Sequence, residues 1–381
     1  MKLIRCFFCC ILLSVLACSQ DKPAPAPPFQ PPVPVVSPEI HADNTVTFRF
    51  RNPNAKSVSL RLEGQTGPIA MERNSEGIWA ATAGPLTPDY YGYSFVADGV
   101  ALMDPSNWLI KPNLLNPQSE VHVPGPTTLP WEVNEVPRGE IHHHFYHSAV
   151  AGDDRDYYVY TPPDYQSKAK ESFPVLYLLH GFSDDASGWS AVGLANVILD
   201  NLIAQGKAKP MIVVMPLGYG TMGMVRHGMA VWSNIELRNR NFDKFREAVL
   251  TEVMPQVQSE YRVAEGVKAH AIAGLSMGGS ESLLTGLNNL DKFAWVGAFS
   301  SGGIPDDFAA DFPGLDASAN QRLQLLWIAC GTDDRLITLN RNLRGWLKSK
   351  GIKVTEMETP GAHTWMVWRR NLAEFAALLF R

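Results

Sequence analysis

The chain has 381 residues, 45% of them hydrophobic and 19% charged, which is enough apolar material to bury a full core and excludes disorder over most of its length. Its formal charge of −5 at pH 7 becomes −7 once residues 1–17, which carry Lys2 and Arg5 and no acid, are set aside. An acidic chain repels polyanions, so nucleic acid is not an expected partner.

Residues 1–17 join a basic start to an apolar run from Cys6 to Leu16 and end in small residues, the layout of a secretory signal peptide. The run is too short to span a bilayer. Val15-Leu16-Ala17-Cys18 also resembles a bacterial lipobox, in which Cys18 receives a diacylglycerol and the chain is cut just ahead of it; two acyl chains suffice for stable anchoring. The expectation is an exported protein: a bacterial outer-membrane or cell-surface lipoprotein, otherwise a periplasmic or secreted one. Cys6, Cys9 and Cys10 fall in the leader and Cys18 at the anchor, so only Cys330 remains and the fold is expected to rest on its core rather than on a disulfide. Cys330 adjoins an apolar run and reads as a small buried hydrophobe.

Residues 18–38 are dominated by proline, which favours an extended spacer and disfavours packing. Over residues 39–124 the pattern changes to short alternating runs such as Thr45-Val-Thr-Phe-Arg-Phe-Arg51 and Ser57-Val-Ser-Leu-Arg-Leu62. Asn52-Pro53, Gly64, Gly67, Gly77 and Asp98-Gly99 punctuate them. This is the signature of a small β-sandwich. Trp79, Trp108 and the tyrosines between Tyr90 and Tyr93 are candidates either for its core or for carbohydrate contact, and the core or spacer reading is preferred.

After a connector near Pro124 to Pro137, strand and helix patterns alternate over residues 138–381, implying a mostly parallel sheet with helices on both faces. The strand candidates are Tyr157 to Thr161, Val175 to Leu179, Met211 to Met215, Ala269 to Ala273, Trp295 to Phe299, Leu325 to Ala329 and Lys353 to Met357. Helical patterns lie at Ala195 to Ala204, Phe242 to Glu260 and Val367 to Phe380. The cluster His142, His143, His144 and His147 precedes this sheet. It lacks cysteines or a spaced acid nearby, so a surface strand is preferred to a metal site.

Gly274-Leu-Ser-Met-Gly278 follows a strand and opens a helix, the setting of a nucleophile elbow with Ser276 as nucleophile. A serine needs a base and an orienting acid, expected in the chain order Ser, Asp, His. The strand ending at Ala329 runs into Cys330-Gly-Thr-Asp-Asp-Arg335, which offers Asp333 or Asp334. His363 follows in a strand-to-helix loop, Thr359-Pro-Gly-Ala-His-Thr-Trp365. The oxyanion of an acyl-transfer intermediate needs two amides: that of Met277, and one from His180-Gly-Phe-Ser-Asp-Asp185, with Phe182 preferred and Gly181 next. His180 itself reads as structural. Trp189, Tyr219, Trp232 and Trp365 lie in or beside the expected site loops and are candidates for stacking on an aromatic acyl group or a sugar, or equally for the core.

Several segments carry a family resemblance: Pro174-Val-Leu-Tyr-Leu-Leu-His-Gly181, Lys209-Pro-Met-Ile-Val-Val-Met-Pro216, Ala271-Ile-Ala-Gly-Leu-Ser-Met-Gly-Gly279 and Gly361-Ala-His-Thr-Trp365. Together they resemble the esterase-D-like carbohydrate esterases, and among them the feruloyl and acetylxylan esterases of carbohydrate esterase family 1. The segment order ahead of them, including Asp98-Gly99 and Asp104-Pro-Ser-Asn107, resembles an early-set immunoglobulin-like module similar to carbohydrate-binding module family 48. The resemblance implies an α/β-hydrolase fold behind a small all-β sandwich. It favours Asp334 over Asp333, since the family form G-x-x-D counts from Gly331, and it requires no cofactor or metal. It implies release of ferulate or a related hydroxycinnamate from esterified arabinoxylan, with xylan deacetylation as runner-up and siderophore-ester cleavage or surface acyl transfer as more distant readings. Many relatives carry further glycines after the His-Gly pair, where this chain has Phe182-Ser-Asp-Asp185, which leaves the second oxyanion donor open. The oligomeric state is not legible in the sequence.

Overall fold

The structure is a computed structural model that describes residues 34–304 and 307–381. The leader, Cys18 and the proline-rich segment up to residue 33 lie outside the described residues.

Runs such as Val175–Leu179, Ile212–Pro216 and Trp295–Phe299 are buried along their whole length, a pattern only a sheet covered on both faces satisfies. They belong to an eight-stranded sheet made of β1 (Glu140–Ser148), β2 (Asp153–Thr161), β3 (Val175–Leu179), β4 (Ile212–Pro216), β5 (His270–Leu275), β6 (Trp295–Phe299), β7 (Leu325–Gly331) and β8 (Thr355–Thr359). Its spatial order is β1-β2-β4-β3-β5-β6-β7-β8. β2 pairs antiparallel with both β1 and β4, and the remaining neighbours are parallel. This is the mostly parallel α/β-hydrolase sheet expected from the sequence. Alternate side chains feed two cores. Tyr177 and Leu179 pack with α2 (Ile235–Ala248), α3 (Met277–Leu287) and α4 (Ile337–Ser349), whereas Leu176 and Leu178 pack with α1 (Ala195–Ala204) and α5 (Trp365–Ala376). Cys330 is free and buried, and burial pushes its thiol up to about 12.

Three expectations shift. The segment bearing His142 to His147 does not precede the sheet but is its edge strand, paired from Glu140↔Thr161 to Ser148↔Asp153. Its residues before Ser148 are exposed or half-buried, so no apolar alternation ties the segment to the sheet. Its histidines hold separate partners: His143 stacks on Tyr158 and pairs with Asp156, His144 stacks on Tyr157, and His147 pairs with Asp154. The last strand begins two residues later than the apolar pattern at Ile352 and Val354 implied, because its register is set by pairing Trp327↔Thr355 through Gly331↔Thr359. The long helix begins at Ile235 rather than Phe242, where the Asn234 side chain caps it by accepting from the Leu237 amide.

Upstream, antiparallel strands between Glu39 and Val123 form two small sheets. One holds Glu39–Ile40, Val46–Arg51, Ile78–Ala83 and Glu72–Arg73; the other is centred on Val58–Leu62, Asp89–Ala97 and Gln118–Val123. Phe48 packs edge-on to Tyr93 and Phe50 stacks on Phe95 in the core between them. Trp79, Tyr91 and Tyr93 are core residues, but Trp108 is 87% exposed and is not.

The two parts pack as one compact unit spanning Val35–Arg381. Trp131, in the connector, is buried against the α1 and α5 side of the hydrolase core. Asp89, fully buried at the start of a sandwich strand, accepts from Arg369 Nε and Nη2 and from Arg370 Nη2 on α5. Arg369 also donates to the carbonyls of Val192 and Tyr90.

Candidate active site

β5 ends at Leu275, and α3 starts two residues later, so the chain must reverse within Ser276. Ser276 accordingly adopts φ 52°, ψ −115°, a conformation a side chain tolerates only where its surroundings enforce it. The Ser276 amide donates to the Phe299 carbonyl at 2.8 Å, while its own carbonyl accepts from Gly302 at 3.0 Å. The flanking glycines are sterically required. A Cβ at Gly274 would lie 2.5 Å from the Gly278 carbonyl oxygen, and one at Gly278 would lie 2.4 Å from that of His180.

The structure brings Ser276, Asp334 and His363 together. His363 Nε2 lies 3.0 Å from Ser276 Oγ, and its Nδ1 lies 2.7 Å from Asp334 Oδ2. Burial pushes the Asp334 carboxyl up, but the hydrogen bond and charge of His363, with further bonds from the Leu336 amide and Ser300, outweigh it and hold the group below its usual range. The ionised acid therefore faces Nδ1, which fixes the tautomer that leaves Nε2 able to accept a proton from Ser276. Asp333 is exposed and its amide bonds the Gly361 carbonyl, so it stays outside this array.

Met277 occupies the first turn of α3, where backbone N–H groups have no intrahelical acceptor and face the elbow. Gly181 and Phe182 line the same cavity as Ser276. A Cβ on Gly181 would come within 3.3 Å of Ser276 Cβ, so this loop runs directly over the nucleophile. His180 is fully buried with both ring nitrogens engaged, by the Gly181 carbonyl and the Gly218 amide, which matches its structural reading.

The loop Phe182-Ser-Asp-Asp185 is held from the sandwich, which no sequence signal announced. Asn113 Nδ2 donates to Ser183 Oγ and to Asp184 Oδ1, both at 3.0 Å, and the Leu114 amide donates to the Ser183 carbonyl at 2.7 Å. Glu63 Oε2 pairs with Lys111 at 2.8 Å, while Glu63 Oε1 accepts from the amide of Trp365, two residues beyond His363. The sandwich thus braces both the oxyanion loop and the histidine loop. Glu63, Lys111, Asn113, Asn116 and Gln118 also line the catalytic cavity, whose volume is about 690 Å³.

The four aromatic candidates divide. Trp232 and Trp365 line the cavity. Trp189 and Tyr219 do not: Trp189 is fully buried with its Nε1 bonded to the Leu179 carbonyl, and Tyr219 is core. The Tyr219 hydroxyl accepts from the Ser183 amide and donates to the Asp184 carbonyl, so it shapes the loop from beneath. Both rings fill space under the loop, where the apolar core is the nearest burial site.

Asp184 makes this brace pH-dependent. Burial pushes its carboxyl up to about 7, against Lys111 and Asn113, and burial also pushes Glu120 up to about 7. A carboxyl raised in the folded state binds more protons folded than unfolded, so its contribution is full below the ordinary carboxylate range and is lost as pH rises through 7. Asp334 and Glu63 are lowered instead, so their contribution is lost only as pH falls below the ordinary range. Between pH 5 and 7 the raised carboxyls lose stability as pH rises, while the imidazoles of His144, His180 and His270, held below their usual range by burial, gain it. Asp184→Asn is therefore expected to shift the slope of melting temperature against pH in the positive direction across this window; an unchanged slope in calorimetry would remove Asp184 as a contributor.

An α/β-hydrolase sheet carrying a Ser–His–Asp array at its nucleophile elbow defines the serine-hydrolase class. Residues 148–379 match the family described as "Putative esterase", and the chain belongs to that family. It is 28% identical over 354 residues to the endo-1,4-beta-xylanase/feruloyl esterase of Xylanibacter ruminicola, a match covering 90% of this chain and 46% of that one. The chain thus spans about half the length of that relative. It is 25% identical over 236 residues to an acetyl esterase of Caldicellulosiruptor saccharolyticus, covering 53% of this chain and 82% of the other. Among solved structures it is similar to a ferulic acid esterase at 25% identity and TM-score 0.53, covering 64% of this chain and 98% of that one.

Proposed function

We propose that the chain is a serine esterase that releases ferulate or a related hydroxycinnamate from esterified arabinoxylan, acting outside the cytoplasm behind an N-terminal leader and an acylated Cys18. The observation that carries this reading is the shared cavity. Ser276 and His363 open into a space walled by Phe182, Met229, Trp232, Ile304 and Trp365, which suits an aromatic acyl group, and by sandwich amides and the Lys111–Glu63 pair, which suit sugar hydroxyls. The similarity to a feruloyl esterase across both parts of the chain supports it.

In this reading His363 Nε2 takes the Ser276 proton as Oγ attacks the ester carbonyl. The Met277 amide and one from Phe182 or Gly181 receive the oxyanion, and the proton passes to the departing sugar oxygen. Water then attacks the acyl-enzyme by the same route, with His363 again the base, and releases the free acid. Deacetylation of xylan is the second reading, because a relative is an acetyl esterase. A cavity of about 690 Å³ is far larger than an acetyl group needs.

Initial rates on methyl ferulate, feruloylated arabinoxylan, acetylated xylan and a catecholate triester separate these readings. The expected result is a kcat/KM for the feruloyl esters at least tenfold above the others. A preference for acetyl groups would replace the proposal with its runner-up.

A further inference from the structure

The cavity contains a cation that the triad chemistry does not use. Arg238, on α2, is 8% exposed and lines the cavity in company with Met229, Trp232 and Ile304. Its Nε is buried without a hydrogen-bond partner, and among the described residues no carboxylate oxygen lies within 4.0 Å of its guanidinium. Asp311 feels the charge of Arg238, yet Asp311 Oδ2 is itself buried without a partner, so the two do not satisfy each other. A guanidinium keeps its proton under all working conditions and presents five N–H donors in a rigid fork. An N–H such as that at Nε, held away from water without an acceptor, is costly. That cost is relieved if the acceptor arrives with the ligand.

The surroundings restrict what that acceptor belongs to. Trp232 packs edge-on to Phe182 with ring centroids 5.3 Å apart, and a Cβ on Gly303 would strike the Trp232 ring at 2.7 Å. This aromatic wall suits an aromatic ring, and Arg238 adds a donor to it. We propose that Arg238 is a specificity-determining residue of the acyl subsite: it donates to a ring oxygen of an aromatic acyl group and so selects hydroxylated or methoxylated cinnamoyl esters over the unsubstituted cinnamoyl ester. The inference rests on the aromatic-acyl reading above and adds the group that recognises the far end of the acyl chain.

The test compares kcat/KM for methyl ferulate and methyl cinnamate in the full chain, in Arg238→Met and in Arg238→Lys. A hydrogen bond from a charged donor is worth roughly a factor of 10 to 100. The parent is therefore expected to prefer ferulate by about tenfold or more, Arg238→Met to bring the ratio close to one, and Arg238→Lys to fall between. An unchanged ratio in Arg238→Met, whatever happens to the absolute rates, would overturn the proposal, because a purely structural loss lowers both substrates together. If Arg238→Met does not fold, the ratio in Arg238→Lys decides in the same way. If the parent turns over neither ester, the proposed function fails, and calorimetric binding of the two esters to Ser276→Ala still decides Arg238: equal affinity, or none, overturns it.

Discussion

Replacing Ser276 by alanine is expected to lower kcat on aryl and feruloyl esters by roughly 10⁴- to 10⁶-fold, with little change in the unfolding midpoint. The hydroxyl makes its hydrogen bond to His363 Nε2 at 3.0 Å, while the backbone of the elbow is held independently through Phe299 and Gly302. Alanine meets the same left-handed strain as serine, so the turn persists and only the nucleophile is lost. His363→Ala should cost a similar factor, and the double variant should be no worse than either alone, because nucleophile and base act in one step. Steady-state assays on p-nitrophenyl acetate and methyl ferulate measure all three. Residual activity above about one per cent in Ser276→Ala would sink the assignment of Ser276 as nucleophile.

Asp89→Ala is expected to produce the largest loss of stability, about 3–5 kcal/mol. Arg369 is fully buried, and its charge is met by Asp89 Oδ1 at 2.7 Å. Alanine would leave that guanidinium in the interior with carbonyl partners but no anion, and would also free Arg370. Asp89→Leu combined with Arg369→Met should recover much of the loss, since removing both charges removes the desolvation penalty along with the attraction. Urea denaturation of the parent and the two variants measures this. Because α5 begins at Trp365, two residues beyond His363, Asp89→Ala should also lower kcat at temperatures where the chain is still folded. A variant as stable as the parent would show that the sandwich is only tethered to the hydrolase part.

The elbow was legible because its requirements are local. A Cβ at Gly274 would strike Gly278 within the same turn and Ser276 takes the positive φ of that turn, although the clash at Gly278 is with the His180 carbonyl of a neighbouring loop. The acid and base were legible for a related reason, since Asp334 and His363 stand at the ends of β7 and β8, which long apolar or strand-like runs mark. Phe182 and Gly181 were found through the loop after β3, although the sequence did not choose between them and both line the cavity. Trp189 and Trp365 show where local reasoning stops. Both are large aromatics near the site, but only packing sends one beneath the loop and the other to the cavity wall. A surface strand was expected at β1, but its place in the sheet was not legible, because its residues are largely exposed and carry no apolar face.

The amino-acid sequence by itself determined the class of chemistry, since an apolar strand, a glycine-flanked serine and the order Ser, Asp, His are short-range or ordered features that each element carries within itself. Only the tertiary structure decided what surrounds that chemistry. Glu63 meets the amide of Trp365, and Asn113 meets Ser183 and Asp184, across separations that no periodicity or motif records. Such contacts depend on how two separately cored parts dock, and docking is governed by the shape and charge of whole surfaces. The same holds for Arg238, one polar residue on an amphipathic helix in sequence and, among the described residues, a buried cation without a carboxylate partner.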